Sequence, residues 1–332
     1  MTERQPNSRS ERFKTNKRSK RRRKSRRKRG GCMSFILILL AVLLIGGGVY
    51  AWSVYRNVEE TTNVLHTTRP AEQVVVREKE VDIKEEHEPF TVLLLGIDTG
   101  DLGRVDGGRS DVMMVATVNP NTGRTTITSI PRDTLTNISG YGTEDTINHA
   151  YAFGGVAMAA NTVQDLLEIP IDFTVSVNMQ GFADIVNSVG GVTITPTDSF
   201  SQDGYQFTAG QPTVMDGKMA LAYSRNRYDT GGDYGRQGRQ RQLIDGILHS
   251  ALGFSTLVNY NEILASLEGN VQTDITFNDM TSIFQHYRGA LSTMENYQLS
   301  GSGSMIDGVY YEILDPTSLE NIKQQIQTEL NS

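Results

Sequence analysis

The sequence predicts an α/β fold: a layered α-β-α domain with a central mixed sheet, carried on a single N-terminal transmembrane helix. Three observations predict it. An uncharged apolar run, Phe35 to Trp52, approaches the roughly 20 residues that one helix needs to cross a bilayer. From Pro89 onward, short apolar strands alternate with helical periods, the pattern of a sheet covered on both faces. The charge is also divided. Residues 1–32 carry 15 Lys/Arg against 2 Asp/Glu, a net of +13, which leaves −19 for residues 33–332 in a chain of net −6.

Five segments follow from this division. Residues 1–32 form a basic cytoplasmic segment, because positive charge beside a span stays inside. Residues 33–55 form the span, with Tyr50, Trp52 and Tyr55 where an interfacial aromatic belt would fall. A cleaved signal peptide is the competing reading, opposed by the length of the run and the lack of a small-x-small cleavage site. Residues 56–88, rich in Glu, Thr, Val and Arg, form an extracytoplasmic stalk. Residues 89–250 form the main folded domain, and residues 251–332 a C-terminal helical extension or cap. The only cysteine, Cys32, lies at the membrane edge, so no disulfide or cysteine zinc site forms within the chain.

Within the domain, Phe90–Ile97, Val112–Val118 and Arg124–Ile130 read as three strands, neighbouring and antiparallel. The turn Asn119–Gly123 joins the last two. A helix is expected from about Thr146 to Glu168, a strand over Ile171–Val177, a helix over Gln180–Ser188 and a strand over Val192–Ile194. Helices over Met215–Tyr223 and Tyr234–Ala251 complete the domain; the tail, Asn261–Ser332, is expected to hold further helices, ending with Ser318–Leu330, and two short strands.

Asp98 closes the first strand and Asp111 precedes the second, so a hairpin would bring both carboxylates to one edge. Two carboxylates, with phosphate oxygens and waters, are the usual holding for Mg²⁺. Two loop aspartates making turn hydrogen bonds are the plainer alternative. The arginines point to a phosphate site. Between Pro89 and His249 nine of ten Lys/Arg are Arg, the residue suited to bidentate phosphate contacts. Arg225 and Arg227 would share a face if the segment is extended, with the preceding helix already ended. Asp233, Arg236 and Gln240 lie at i, i+3 and i+7 on one helical stripe that continues into Leu243, Ile244 and Ile247. Arg239 and Arg241, off that stripe, are expected to be solvated. His149 either lines the site or is a satisfied core histidine. The five histidines have no metal-ligand or triad spacing, and neither Gly-x-Ser-x-Gly nor a P-loop is present.

At these residues the chain resembles the LytR-CpsA-Psr family. Leu-Leu-Gly-Ile-Asp (94–98), Arg-Ser-Asp (109–111), Ser-Ile-Pro-Arg-Asp (129–133), Ile-Asn-His-Ala-Tyr (147–151), Gly-Gly-Val (190–192), Arg-Asn-Arg (225–227) and Asp-Tyr-Gly-Arg-Gln (233–237) fall in the family's order. The resemblance implies an α/β domain whose apolar cleft holds a polyprenyl chain with the pyrophosphate at its mouth. It implies transfer of an anionic glycopolymer, of teichoic acid or capsule type, from undecaprenyl pyrophosphate to peptidoglycan. Asp98 and Asp111 would hold Mg²⁺. Arg109, Arg132, Arg225, Arg227 and Gln240 would contact pyrophosphate, with Arg132, Asp233 and Arg236 as catalytic positions. Many members have Lys where this chain has Thr146, which puts one phosphate contact in doubt.

The competing functions are a polyprenyl-pyrophosphate pyrophosphatase and a non-enzymatic regulatory or lipid-binding protein, since members of the family have been named transcriptional attenuators. An acidic outer domain beyond the membrane argues against direct nucleic-acid contact. The expected partners are the lipid-linked glycopolymer, peptidoglycan and membrane lipid.

Overall fold

The computed structural model describes residues 77, 79–98, 108–227, 231–251, 267 and 269–332. The basic segment, Cys32, the expected span, most of the stalk and the loop 99–107 lie outside the described residues. Among the described residues no helix is long and apolar enough to cross a membrane.

The first three strands are β1 (Phe90–Asp98), β2 (Arg109–Asn119) and β3 (Arg124–Ser129), paired antiparallel as their alternation predicts. A small hairpin of β4 (Leu135–Asn137) and β5 (Glu144–Thr146) precedes α1 (His149–Leu167). The predicted helix start at Thr146 is therefore corrected to His149, because Thr146 pairs with Leu135. Gly154 and Gly155 have non-helical dihedrals and kink α1, Gly155 at φ 63°. Next come β6 (Phe173–Asn178), α2 (Met179–Ser188), β7 (Val192–Ile194), β8 (Phe200–Gln202), β9 (Tyr205–Phe207) and β10 (Thr213–Met215).

Helix α3 (Gly217–Arg225) follows, then α4 (Gly232–Ala251). The predicted helix over Met215–Tyr223 is shifted. Met215 pairs with Val192 as a strand, and the Asp216 carboxylate accepts from the Met219 N–H at 2.8 Å, capping the helix after it. The tail holds β11 (Val271–Thr273), α5 (Phe277–His286), α6 (Arg288–Leu291), β12 (Met294–Gln298), the hairpin β13 (Gly301–Ile306) and β14 (Val309–Leu314), and α7 (Pro316–Asn331).

The six-stranded sheet runs β11-β6-β1-β2-β3-β12 and is mixed, since β6 joins β1 and β12 joins β3 in parallel while the other pairs are antiparallel. Both edge strands come from the tail. Residues 251–332 are thus integral to the sheet rather than only a helical cap.

Alternation along β1 separates two cores. Leu93, Leu95 and Ile97 pack with Met113 and Val115 against α1 and α7, through Val163, Leu167 and Ile326. Phe90, Val92 and Leu94 face the other way, with Met114, Ala116 and Val118, toward Ile244, Ile275 and Ile283. A third cluster joins α2, α3 and α4 to β7 and β10 around Val186, Met215 and Tyr223.

Candidate active site

On the second face of the sheet the helices stand off the strands and leave an apolar cavity of about 530 Å³. Val92, Leu94, Met114 and Ala116 form its floor, and Phe182, Leu221 and Ile247 belong to its helical walls. The polar lining includes Asp98, Asp111, Arg225, Arg227, Arg236 and Gln240. A long apolar void ending in carboxylates and guanidinium groups suits an amphiphile with an anionic head.

The carboxylates are placed by the β1–β2 hairpin. Asp98 stands opposite Arg109, and a register shift at Gly96/Ile97 lets both Asp98 and Asp111 reach the cavity from one end of the sheet. Gly96 is required there, since a Cβ would lie 2.8 Å from that of Val112. Arg109 itself is exposed and does not line the cavity. It lies at the outer end of β2, beyond the register shift that brings in Asp111, and its side chain is exposed to solvent.

Arg132 sits on a turn fixed by the Thr134 N–H and hydroxyl, which both donate to the Pro131 carbonyl. One Arg132 nitrogen donates to Asp111 Oδ1 at 2.8 Å, and its Nε lies 3.5 Å from Asp133 Oδ2. Burial opposes the Arg132 charge, but Asp111 and Asp133 outweigh it and hold the guanidinium above its usual range.

The first turns of α4 bring Asp233, Arg236 and Gln240 to the same place. Arg236 is only 5% exposed and pairs with Asp233. Burial pushes it down to about 10, with Arg227 and Arg132 adding repulsion against the pull of Asp233 and Asp111. Three guanidinium groups thus converge where their mutual repulsion is felt, an arrangement that an anionic ligand would relieve. Arg236 Nε and Gln240 Oε1 are buried without a hydrogen-bond partner among the described residues. Asp233 does not line the cavity. Its second oxygen accepts from Gln237 Nε2 at 2.9 Å.

Arg225 and Arg227 both reach the mouth, by a different route from the extended segment expected. Arg225 is the last residue of α3, and Asn226, at φ −61° and ψ 134°, breaks the helix. The Asn226 carbonyl accepts from Arg239, which is 2% exposed and lies 5.2 Å over the Phe200 ring. Arg241 donates to Ser129 Oγ at 2.6 Å and to Gln298 Oε1 at 3.1 Å. The expectation that these two arginines are solvated is therefore corrected. Arg239 holds the segment that carries Arg225 and Arg227, and Arg241 ties α4 to the sheet. Their sequence signal was an uninterrupted run of Arg and Gln, which periodicity alone reads as surface.

His149 is half-buried, with Nδ1 2.7 Å from Asp145 Oδ2, and does not line the cavity. Thr146 is buried with its hydroxyl donating to Asn148 Oδ1 at 2.9 Å, also away from the cavity lining. Tyr234 and Glu312 were missed. They bond at 2.6 Å beside Asp233, and nothing in the sequence links positions so far apart.

Asp98 and Asp111 offer oxygen donors only, which suits a hard cation. Among the described residues no group of three or more His, Cys, Asp or Glu could hold a metal. A cation at this pair would complete its shell with phosphate oxygens and water, as Mg²⁺ commonly does.

Comparison with known proteins finds relatives over most of the chain. The profile described as the LytR_cpsA_psr family matches residues 49–328. A polyisoprenyl-teichoic acid–peptidoglycan teichoic acid transferase TagU of Enterococcus faecalis is 45% identical over 289 residues, covering 87% of this chain and 92% of that protein. The crystal structure of Bacillus subtilis TagU superposes with a TM-score of 0.61 at 38% identity, covering 74% of this chain and 98% of that one. A structure of TagT bound to LI-WTA gives a TM-score of 0.66 at 30% identity, covering 80% of this chain and all of that one (100%).

Proposed function

Because the chain belongs to the LytR-CpsA-Psr family, we propose that it is a phosphotransferase that moves a teichoic-acid-type glycopolymer from a polyprenyl pyrophosphate carrier to peptidoglycan. The observation that carries this reading is a cavity with an apolar lining that ends in two carboxylates and converging arginines. The polyprenyl chain would lie in the cavity and the pyrophosphate at its mouth. The donor's undecaprenyl identity rests on the family resemblance.

The arginines and Gln240 bind and orient the pyrophosphate. A peptidoglycan hydroxyl then attacks the phosphorus that bears the glycan, forming a phosphodiester. The bond to the lipid-side phosphate breaks, and that phosphate leaves on the polyprenyl chain. Arg132, Arg225, Arg227 and Arg236 stabilise the charge developing on it, since phosphoryl transfer depends on positioning and electrostatics. Asp98 and Asp111 would hold Mg²⁺, which supplies charge neutralisation to the phosphate oxygens. The hydroxyl proton passes to a carboxylate. Asp98, which lines the cavity, and Asp233, beside Arg236, are the candidate acceptors.

The test supplies full-length protein in nanodiscs with a labelled lipid-linked glycan, Mg²⁺ and a peptidoglycan oligosaccharide. A phosphodiester-linked product that is lost in Arg225→Ala is expected. Release of phosphorylated glycan alone, whatever the acceptor, would make the protein a pyrophosphatase.

The same reading places residues 33–55 as a single-pass anchor, the N-terminus in the cytoplasm and the catalytic domain outside at the cell membrane. The support is the uncharged run from Phe35 to Trp52 behind 15 basic residues. A reporter active only outside the cytoplasm, fused after Ser332, should be active. Signal from a cytoplasmic reporter in its place would reverse the topology.

A further inference from the structure

We propose that Tyr310, on the β13–β14 hairpin, is the stacking platform for the acceptor, a glycan chain of N-acetylated hexosamines. This rests on the transferase reading, which requires a second substrate to approach the pyrophosphate from outside the lipid cavity. The hairpin is placed for that approach. None of its residues lines the cavity, yet it is bonded to both segments that carry the catalytic groups.

The Glu312 N–H donates to the Asp133 carbonyl at 2.8 Å, beside Arg132, and Thr134 bridges to Glu312. Glu312 is 6% exposed, and each of its carboxylate oxygens accepts a tyrosine hydroxyl. Tyr234, next to Asp233, donates to Oε1 at 2.6 Å, and Tyr310 donates to Oε2 at 2.9 Å. The Gly301 N–H donates to the Tyr234 hydroxyl at 2.9 Å. The reaction centre and the hairpin are thus one hydrogen-bonded unit.

Tyr310 is held in a set position within it. A Cβ at Gly303, on the facing strand, would lie 2.6 Å from the tyrosine ring, so glycine makes room for the ring over β13. With its hydroxyl tied to Glu312 and the residue 48% exposed, Tyr310 offers an apolar body fixed by its polar end. Such preorganisation reduces the ordering cost of binding.

Charge selects the occupant. Residues 300–314 contain Asp307 and Glu312 and no Lys or Arg. Those residues offer no cation to an anionic donor polymer and impose no penalty on an uncharged sugar face. Exposed Met305, paired opposite Tyr310, extends the apolar patch beside the ring.

The test titrates full-length protein in nanodiscs with a soluble peptidoglycan-type oligosaccharide, followed by saturation-transfer NMR, and measures transfer in parallel. Tyr310→Ala should weaken glycan binding about tenfold, equivalent to about 1.4 kcal/mol, and raise the acceptor KM but not the donor KM. Gly303→Val, which displaces the ring, should weaken binding in the same direction, and Tyr310→Phe should retain most of it. Unchanged glycan affinity in Tyr310→Ala, or no glycan binding by the unaltered protein, would overturn the assignment. So would quenching of a probe at Ser302 by lipid-borne quenchers, which would make the hairpin a membrane contact. Tyr310-dependent glycan binding without transfer from any lipid-linked donor would sink the transferase reading and leave the subsite standing.

Discussion

Replacing Arg236 with methionine should nearly abolish transfer while making the folded domain harder to unfold. Removing one preorganised electrostatic donor costs on the order of 10²–10³ in turnover. Arg236 meets that description, being 5% exposed, lining the cavity and standing among Arg132 and Arg227. Its charge is also costly. The depression from its ordinary value to about 10 corresponds to roughly 3 kcal/mol against the charged form, at about 1.4 kcal/mol per pKa unit. Methionine fills similar space without that desolvation, and the penalty of removing one member of a buried pair is small where the partner left behind is solvated. Asp233, left behind, is partly exposed and keeps its bond from Gln237.

The pH dependence has a definite sign. The folded pKa lies below the unfolded one, so the unfolded chain binds the additional proton between the two. The Arg236 contribution to stability is therefore lowest below pH 10 and rises above it, whereas turnover falls as pH climbs through about 10 and the cation is lost. Thermal unfolding and steady-state transfer on the two proteins check both halves. A methionine variant that transfers normally would remove Arg236 from the site.

Asp98→Ala combined with Asp111→Ala should eliminate turnover and its dependence on Mg²⁺ together. Asp111 acts twice, as a candidate metal ligand and as the partner that fixes Arg132 at 2.8 Å. Its loss therefore also frees a guanidinium that is expected to meet phosphate. Asp111→Asn separates the two roles, since the amide oxygen still accepts from Arg132 while the anionic ligand is gone. Asn should restore the position of Arg132 but not metal binding, read directly by calorimetry with Mg²⁺ or by the spectrum of Mn²⁺ as a probe. Turnover by the unaltered protein that survives a chelator would refute the metal assignment.

Much of the fold was legible because its signals are local. Alternating apolar residues mark β1 to β3, and the Asn-Pro-Asn-Thr-Gly turn forces two of them into a hairpin. The antiparallel pairing expected of β1 with β2 likewise placed Asp98 and Asp111 at one sheet edge, and both line the cavity. The stripe Asp233–Arg236–Gln240 was equally readable, because 3.6-residue periodicity fixes which residues share a helix face. Where local signals were ambiguous the boundaries moved. Met215 follows an apolar pattern that suits a helix, but its pairing with Val192 takes it into a strand.

By itself, then, the sequence determined the types of the main strands and helices, the arginine-rich phosphate chemistry and, through its ordered motifs, the family. Only the tertiary structure decided which polar groups are buried and which distant segments meet. Arg239 and Arg241 belong to a run that looks solvated, yet one holds the Asn226 carbonyl and the other reaches Ser129 across the cavity-facing side. The tail reads as a helical cap with two short strands, yet only the fold shows that strands β11 and β12 are the two edges of the central sheet. Glu312 joins Tyr234 across 78 positions. The physical reason is that periodicity and turn chemistry are set by neighbours in the chain. Burial, and the partner each buried polar group must find, are set by whatever the folded layers bring alongside.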